Sequence, residues 1–403
     1  MAFLMTVAPF QHGHARKHLS ASIVPVTIDR PVNVLVLGID NSGHPHSATN
    51  FNPSEALSGN SDTMLLVRLL PATHQVNILS IPRDTLVQLP GVGVDKVNDA
   101  NMKGGAQLAA QSVSHLLGDI PIDRYIRIDT ESFTQVVDAL GGVEVNVPKP
   151  MNYIDQTQHL YIHLQPGRQV LNGQHLQEYV RFREDALGDI GRIQRQQEVL
   201  KVLLAKLWQP STLGRLPQLL GVVHDNVDTD LSVGEMLGSA QFLASLERQH
   251  VNLVMLPGRF SRQDEYPLSY WIESPKAAAP ILVRYFGASS KQVNTTTGPT
   301  ANFGQMWLAV ANSTGQVGAA AKTAALLRKQ GFNKVYVTSR TIDSATLPLA
   351  QTQIIAQQGN TDAANAVKDI LGLGQVQVAS TGDIGSDVTI VVGADLAARL
   401  NKN

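Results

Sequence analysis

Residues 32–40 read VNVLVLGID, an unbroken apolar run closed by a glycine and a carboxylate. A run without polar alternation is the mark of a strand covered on both faces. It also delivers Asp40 to the strand's carboxyl end. Working outward, residues 63–70 (TMLLVRLL) and 75–82 (QVNILSIP) repeat the pattern and read as a hairpin joined through 71–74. Residues 105–117 and 132–140 carry helical spacing, closed by Gly118 and by Gly141-Gly142. Residues 125–129, 143–147 and 251–256 read as further strands, with Pro148 and Pro150 opening a loop. Strands and helices mixed over some 250 residues predict an α/β sandwich.

Composition narrows the possibilities. The chain has 403 residues, 43% of them hydrophobic, with a net charge of −1 and no cysteine. That length can bury one large core and a smaller second one. Near neutrality argues against a protein that coats nucleic acid. The lack of cysteine excludes thiolate metal sites, thiol nucleophiles and disulfides, and fits export as well as a cytosol. Residues 1–10 (MAFLMTVAPF) are apolar but too few to span a bilayer, and QHGHARKH follows. This 1–30 leader is expected to be either flexible or the tail of a transmembrane helix that begins upstream. Residues 288–301 (ASSKQVNTTTGPTA) lack a core-forming pattern and read as a linker. A catalytic domain is therefore expected over 31–287 and a small α/β domain over 302–403, with strands at 306–310, 334–338 and 388–392 and helices at 318–330 and 363–371.

The richest chemistry lies in residues 179–200, YVRFREDALGDIGRIQRQQEVL. Arg181, Arg183, Arg192 and Arg195 stand there with no lysine until Lys201. Guanidinium forks match phosphate oxygens better than an ammonium does, which points to a phosphate or pyrophosphate ligand. Gly188 breaks the run, and Asp189 is placed to cap a second helix. Arg192 and Gln196, four apart, then share a face in its first turns, where the dipole favours an anion. Asp40 and Asp62 each border a strand, and two carboxylates on adjacent strand edges make a natural Mg²⁺ site when phosphate oxygens complete the octahedron. Arg83 and Asp84 follow a strand in SIPRDT, while Lys96 precedes a Gly104-Gly105 helix start in DKVNDANMKGG. Walker, dinucleotide-binding and GxSxG signatures are absent from the sequence.

Taken in order, GID at Asp40, SDTM at Asp62, SIPRDT at Arg83-Asp84, KVNDANMKGG from Lys96 and YVRFRxDxxxDxxRxxRQQ from Tyr179 resemble the LytR-CpsA-Psr (LCP) family over residues 30–260. The tail MWLAVANSTGQVGAAAKTAALLRKQGF resembles the LytR C-terminal domain. The resemblance implies an αβα sandwich with a mixed central sheet. It implies an extracytoplasmic, membrane-associated phosphotransferase acting on a glycopolymer carried on polyprenyl pyrophosphate. The acceptor would be peptidoglycan or a related wall polymer, the partner surface the membrane, and no nucleic acid is expected. By motif, Asp40 and Asp62 would hold Mg²⁺ or Mn²⁺. Arg83, Lys96, Arg181, Arg183 and Gln196 would grip the pyrophosphate, and Asp189 and Arg192 would complete the pocket, with Asp84 and Asp189 the candidate bases. An apolar cavity between sheet and helices would take the prenyl chain.

One departure from the family pattern is Asn60, where many members carry arginine two residues before the SDTM aspartate. It implies a missing phosphate contact. Three other functions compete: a lipid-pyrophosphate pyrophosphatase using water as acceptor, a transcriptional attenuator, and a non-catalytic polyprenyl-lipid binder. The attenuator would need a basic DNA-reading helix, which the sequence does not offer. The intact Asp40, Asp62 and Arg83 count against a mere binder.

Overall fold

The computed structural model describes residues 27–40, 57–156, 160–182, 189–207, 209, 212, 219, 227–247, 250–262, 264–289, 303–338, 349–357, 359–383 and 385–400. In chain order the first half runs β1 (Val32–Ile39), β2 (Ser61–Leu70), β3 (Gln75–Ser80), β4 (Leu86–Leu89), β5 (Gly93–Lys96), α1 (Asp99–Leu116), β6 (Arg124–Asp129), α2 (Thr130–Ala139), β7 (Val143–Val147), β8 (Met151–Asp155), β9 (Leu160–Leu164) and β10 (Gly167–Leu171). There follow α3 (Gly173–Arg181), α4 (Asp189–Leu207), β11 (Asp228–Thr229), α5 (Val233–Ser245), β12 (Val251–Met255), β13 (Gly258–Phe260), β14 (Trp271–Glu273) and α6 (Pro275–Ile281).

The central sheet has the order β11-β6-β1-β2-β3-β12. It is mixed: β1 pairs antiparallel with β2 and parallel with β6, and β3 pairs antiparallel with β2 and parallel with β12. Strand alternation sends Leu35 and Leu37 of β1 and Met64 and Leu66 of β2 to one face, where they pack with Ala109 and Val113 of α1 and Ile281 of α6. Leu69, Val76 and Ile78 face the other way, toward Leu204 of α4 and Phe242 of α5. These two apolar layers make the expected αβα sandwich. Burying one such leucine contributes about 1.5–3 kcal/mol. Beside the sandwich, the antiparallel pair β7–β10 and the hairpin β8–β9 between them in sequence close a smaller core over Leu176 and Tyr179 of α3.

Two expectations need correction. The loop opened at Pro148 is short, because β8 and β9 follow at once. The glycine pair 104–105 does not begin α1 but kinks it: Asp99 starts the helix, and Gly105 takes φ 64°, a conformation that only glycine adopts without strain.

The second domain carries β15 (Trp307–Asn312), α7 (Ala319–Lys329), β16 (Lys334–Val337), β17 (Gln353–Ala356), α8 (Thr361–Leu371), β18 (Gln375–Val378), β19 (Val388–Val392) and α9 (Ala394–Leu400). Its sheet order is β16-β15-β19-β17-β18, with every residue of β19 buried. The described helices include none long and apolar enough to cross a membrane. The leader up to residue 26, and the linker from residue 290, lie outside the described residues.

Candidate active site

Asp40 follows the last residue of β1, and its amide donates to the Asn60 carbonyl at 3.1 Å. That close approach depends on Gly59, where a Cβ would collide with the Asp40 carbonyl oxygen. Across the ladder, Gly38 pairs with Thr63 and Ile39 with Ser61. The register therefore skips Asp62, which is the extra residue of a β-bulge. A bulge re-aims the unpaired side chain, and Asp62 lines the same cavity as Asp40.

The loop after β3 brings Arg83 across to this pair. Its Nη1 donates to Asp62 Oδ1 at 2.6 Å, and its Nε lies 3.6 Å from Asp84 Oδ2. Lys96, the last residue of β5, reaches the other Asp84 oxygen at 2.7 Å and stands over the Tyr270 ring. On the far side, Arg181 at the end of α3 approaches Asp40 Oδ2 at 3.7 Å. The result is an alternating row of acid and base, each side chain 15–24% exposed. Charges so placed are screened far less than surface pairs, while their rim stays open to a ligand. Asn60 turns toward the start of α1 and donates to Asp99 Oδ1 at 3.1 Å. It lies beside this row but adds no positive charge to it.

Below the charged rim the wall becomes apolar. A cavity of about 240 Å³ sits between the sheet and α2, α3 and α4. Val36, Leu65 and Ile128 form its floor, and Phe133, Tyr153, Leu160, Val180, Val199, Leu200 and Leu203 its walls. Arg181, Arg192 and Gln196 join Asp40 and Asp62 in lining it, so the pairing of Arg192 with Gln196 on one helix face holds. Of the two helices read at 105–117 and 132–140, α2 contributes Phe133 to the cavity, whereas α1 packs into the sandwich core.

The remaining candidates divide. Arg83, Asp84 and Lys96 extend the rim through their ion pairs with Asp62 and with each other. Arg195 is buried differently: its Nη2 donates to the Phe182 carbonyl and its guanidinium lies over the Phe182 ring. It braces the C-terminal end of α3 against α4. Asp189 stands inside the first turn of α4 rather than before it, and its side chain lies outside the described residues, as does all of Arg183. Gln177 is an addition that sequence reading passed over; it lines the cavity one turn before Arg181, as i,i+4 spacing allows. Among the described residues no group of three or more acidic, histidine or cysteine side chains gathers as a metal site.

This architecture has relatives. The chain is 29% identical over 236 residues to the polyisoprenyl-teichoic acid–peptidoglycan teichoic acid transferase TagV of Bacillus subtilis, which is 57% of either chain. It is 34% identical over 219 residues to the TagU transferase of Halalkalibacterium halodurans, covering 52% of this chain and 64% of that one. It thus spans less than two thirds of the length of these curated relatives. The crystal structure of protein gbs0355 from Streptococcus agalactiae matches with a TM-score of 0.56 at 26% identity, covering 68% of this chain and 91% of that one. A model of the LytR cell envelope-related transcriptional attenuator domain matches residues 305–396. Since the model of the LytR_cpsA_psr family matches residues 7–282, which hold both the charged rim and the cavity, the chain belongs to that family.

Proposed function

We propose that the protein is a cell-envelope phosphotransferase. It would move a glycopolymer, with its proximal phosphate, from a polyprenyl-pyrophosphate carrier to a hydroxyl of peptidoglycan or a related wall polymer. The observation that carries this reading is the junction of a charged rim with an apolar cavity of about 240 Å³. A lipid pyrophosphate has the same two parts in the same order. The transferase names of the relatives support the chemistry, and membrane association outside the cytoplasm follows from where such a carrier resides.

In this reading Arg83, Lys96, Arg181, Arg183 and Gln196 hold the pyrophosphate, Arg192 completes the wall, and the prenyl chain lies along Phe133, Leu200 and Leu203. The acceptor oxygen attacks the sugar-bearing phosphorus in line. A new phosphorus–oxygen bond forms, the bond to the bridging oxygen breaks, and polyprenyl phosphate leaves. The hydroxyl proton passes to a carboxylate, for which Asp84 and Asp189 are the candidates. Phosphoryl transfer needs positioning and charge neutralisation more than covalent chemistry, and guanidinium groups fixed by ion pairs provide both.

The donor set also fits Mg²⁺ or Mn²⁺. Asp40 and Asp62 are two carboxylates on one cavity wall, and Mg²⁺ is usually held by one or two carboxylates with substrate phosphates and water. When bound there, the ion would neutralise charge on the phosphate oxygens. The Arg83–Asp62 pair at 2.6 Å fixes Asp62 beforehand.

The test is turnover of a polyprenyl-pyrophosphate-linked sugar by the purified full chain, with Mg²⁺ or with EDTA and with or without peptidoglycan. We expect metal-dependent transfer, reduced roughly 10²- to 10³-fold in Arg83→Ala and in Asp62→Ala. Phosphate release that ignores the acceptor would replace transfer by hydrolysis. No turnover with intact lipid binding would overturn the enzyme reading.

A further inference from the structure

The outer edge of the central sheet is not open to solvent. β12 is its last strand, and just beyond β18 the chain of the second domain runs parallel to it, bridging Ala379 to Leu253. The Ser380 amide donates to the Leu253 carbonyl at 3.1 Å, and the Met255 amide donates to Ser380 Oγ at 2.8 Å. Buried Gln357 stiffens this segment, accepting from Ser380 Oγ at its carbonyl and from the Gly382 amide at Oε1. Farther along, Tyr285 Oη donates to the Gly359 carbonyl. The two domains share one continuous apolar cluster.

Residues 380–382 also grip α4. Gln194 Nε2 donates to the Gly382 carbonyl at 2.8 Å, and Lys201 Nζ donates to Thr381 Oγ1 at 3.0 Å. Gln194 and Lys201 are seven residues apart, two helical turns, and so share one face. Arg192, Gln196, Val199 and Leu203, spaced by four, three and four, share the face that lines the cavity. One helix thus carries the cavity wall on one side and the grip of the second domain on another.

We propose that the C-terminal domain is a clamp on the wall of the active site. Gln194 and Lys201 are positioning residues that set the rotation and depth of α4, and through it the placement of Arg192 and Gln196. The clamp itself stands on geometry alone, whereas its catalytic consequence rests on the transferase reading above. A guanidinium displaced by an ångström loses its aim.

The experiment uses the full chain with Gln194→Ala, Thr381→Val and, as the conservative control, Thr381→Ser, which keeps the hydroxyl. Hydrogen exchange is followed at the amides of α4 and of β1–β3. Binding and turnover are followed with geranylgeranyl pyrophosphate. We expect α4 exchange to quicken about 3- to 10-fold in Gln194→Ala and Thr381→Val, the scale of one lost hydrogen bond, with β1–β3 unchanged and Thr381→Ser like wild type. Affinity for the probe should fall by a similar factor. Unchanged α4 exchange in both variants would overturn the clamp. So would a uniform quickening across α4 and β1–β3, which marks mere loss of stability. If the wild-type chain ignores the probe, the transferase reading fails, while the exchange measurement still decides the clamp.

Discussion

The surroundings of the two largest described sheets use polar residues in opposite ways. In the C-terminal domain they serve the fold: Asp395 accepts from the amide and hydroxyl of Thr352, and Asp383 accepts from Tyr336 Oη. In the central sheet Asp40 and Asp62 stand where the ladder ends or slips, and they line a cavity with arginines opposite. Asp383 and Asp395 lie outside the strands and close hydrogen bonds within the fold, whereas Asp40 and Asp62 sit where a ladder ends or slips and so face a cavity. The bulge at Asp62 is that slip.

The largest test of the contrast lies in the quieter domain. Ile390→Ala, at a fully buried position of β19, should cost about 2–5 kcal/mol in urea denaturation. The loss should appear in a single transition, because one apolar cluster runs through both domains. Two separate transitions would break the picture of a docked pair. Next comes Arg181→Ala at the rim, expected to lower turnover of the lipid-linked sugar by roughly 10- to 100-fold while leaving the unfolding midpoint nearly unchanged. A large fall in stability without a fall in turnover would place Arg181 with the structural residues. Asn60→Arg is smaller and of opposite sign. A fork beside Asp62 should strengthen probe binding about 3- to 10-fold, read by titration with geranylgeranyl pyrophosphate. Unaltered affinity would show that the Asn60–Asp99 contact points away from the ligand.

A further effect is on pH. Burial pushes the Lys201 ammonium down to about 8, with nearby Glu198 countering. The ordinary lysine value is 10.5, so the unfolded chain holds this proton over a range where the folded chain has lost it. Stability should therefore rise as pH goes from about 8 to 10.5, and Lys201→Met should abolish that slope in denaturation profiles. A slope that persists in the variant would assign it to another group.

Much of this was legible from residue order. The runs 32–40, 63–70 and 75–82 announced β1, β2 and β3, since strands covered on both faces need unbroken apolar sequence. The pairing of Arg192 with Gln196 followed from helical spacing alone. The hairpin β8–β9 escaped because two prolines precede it and hide the alternation of Leu160, Ile162 and Leu164. The bulge was beyond reach for a different reason: register belongs to two strands together, so neither strand's sequence encodes it. Arg192 and Arg195 are nearly on the same side of α4, yet one lines the cavity and the other braces Phe182. A rotation of some 60° decides between the two, and only packing sets it.

The bridge from Leu253 to Ala379 also has a consequence in time. During synthesis β12 emerges roughly 130 residues before the segment that covers it, an interval on the order of ten seconds at about 5–20 residues per second. For that interval the nascent sandwich presents an unpaired strand edge, the surface through which chains aggregate or exchange strands. Yield of soluble protein should therefore depend on the last third of the chain, and truncation there would be felt first as misassembly during expression.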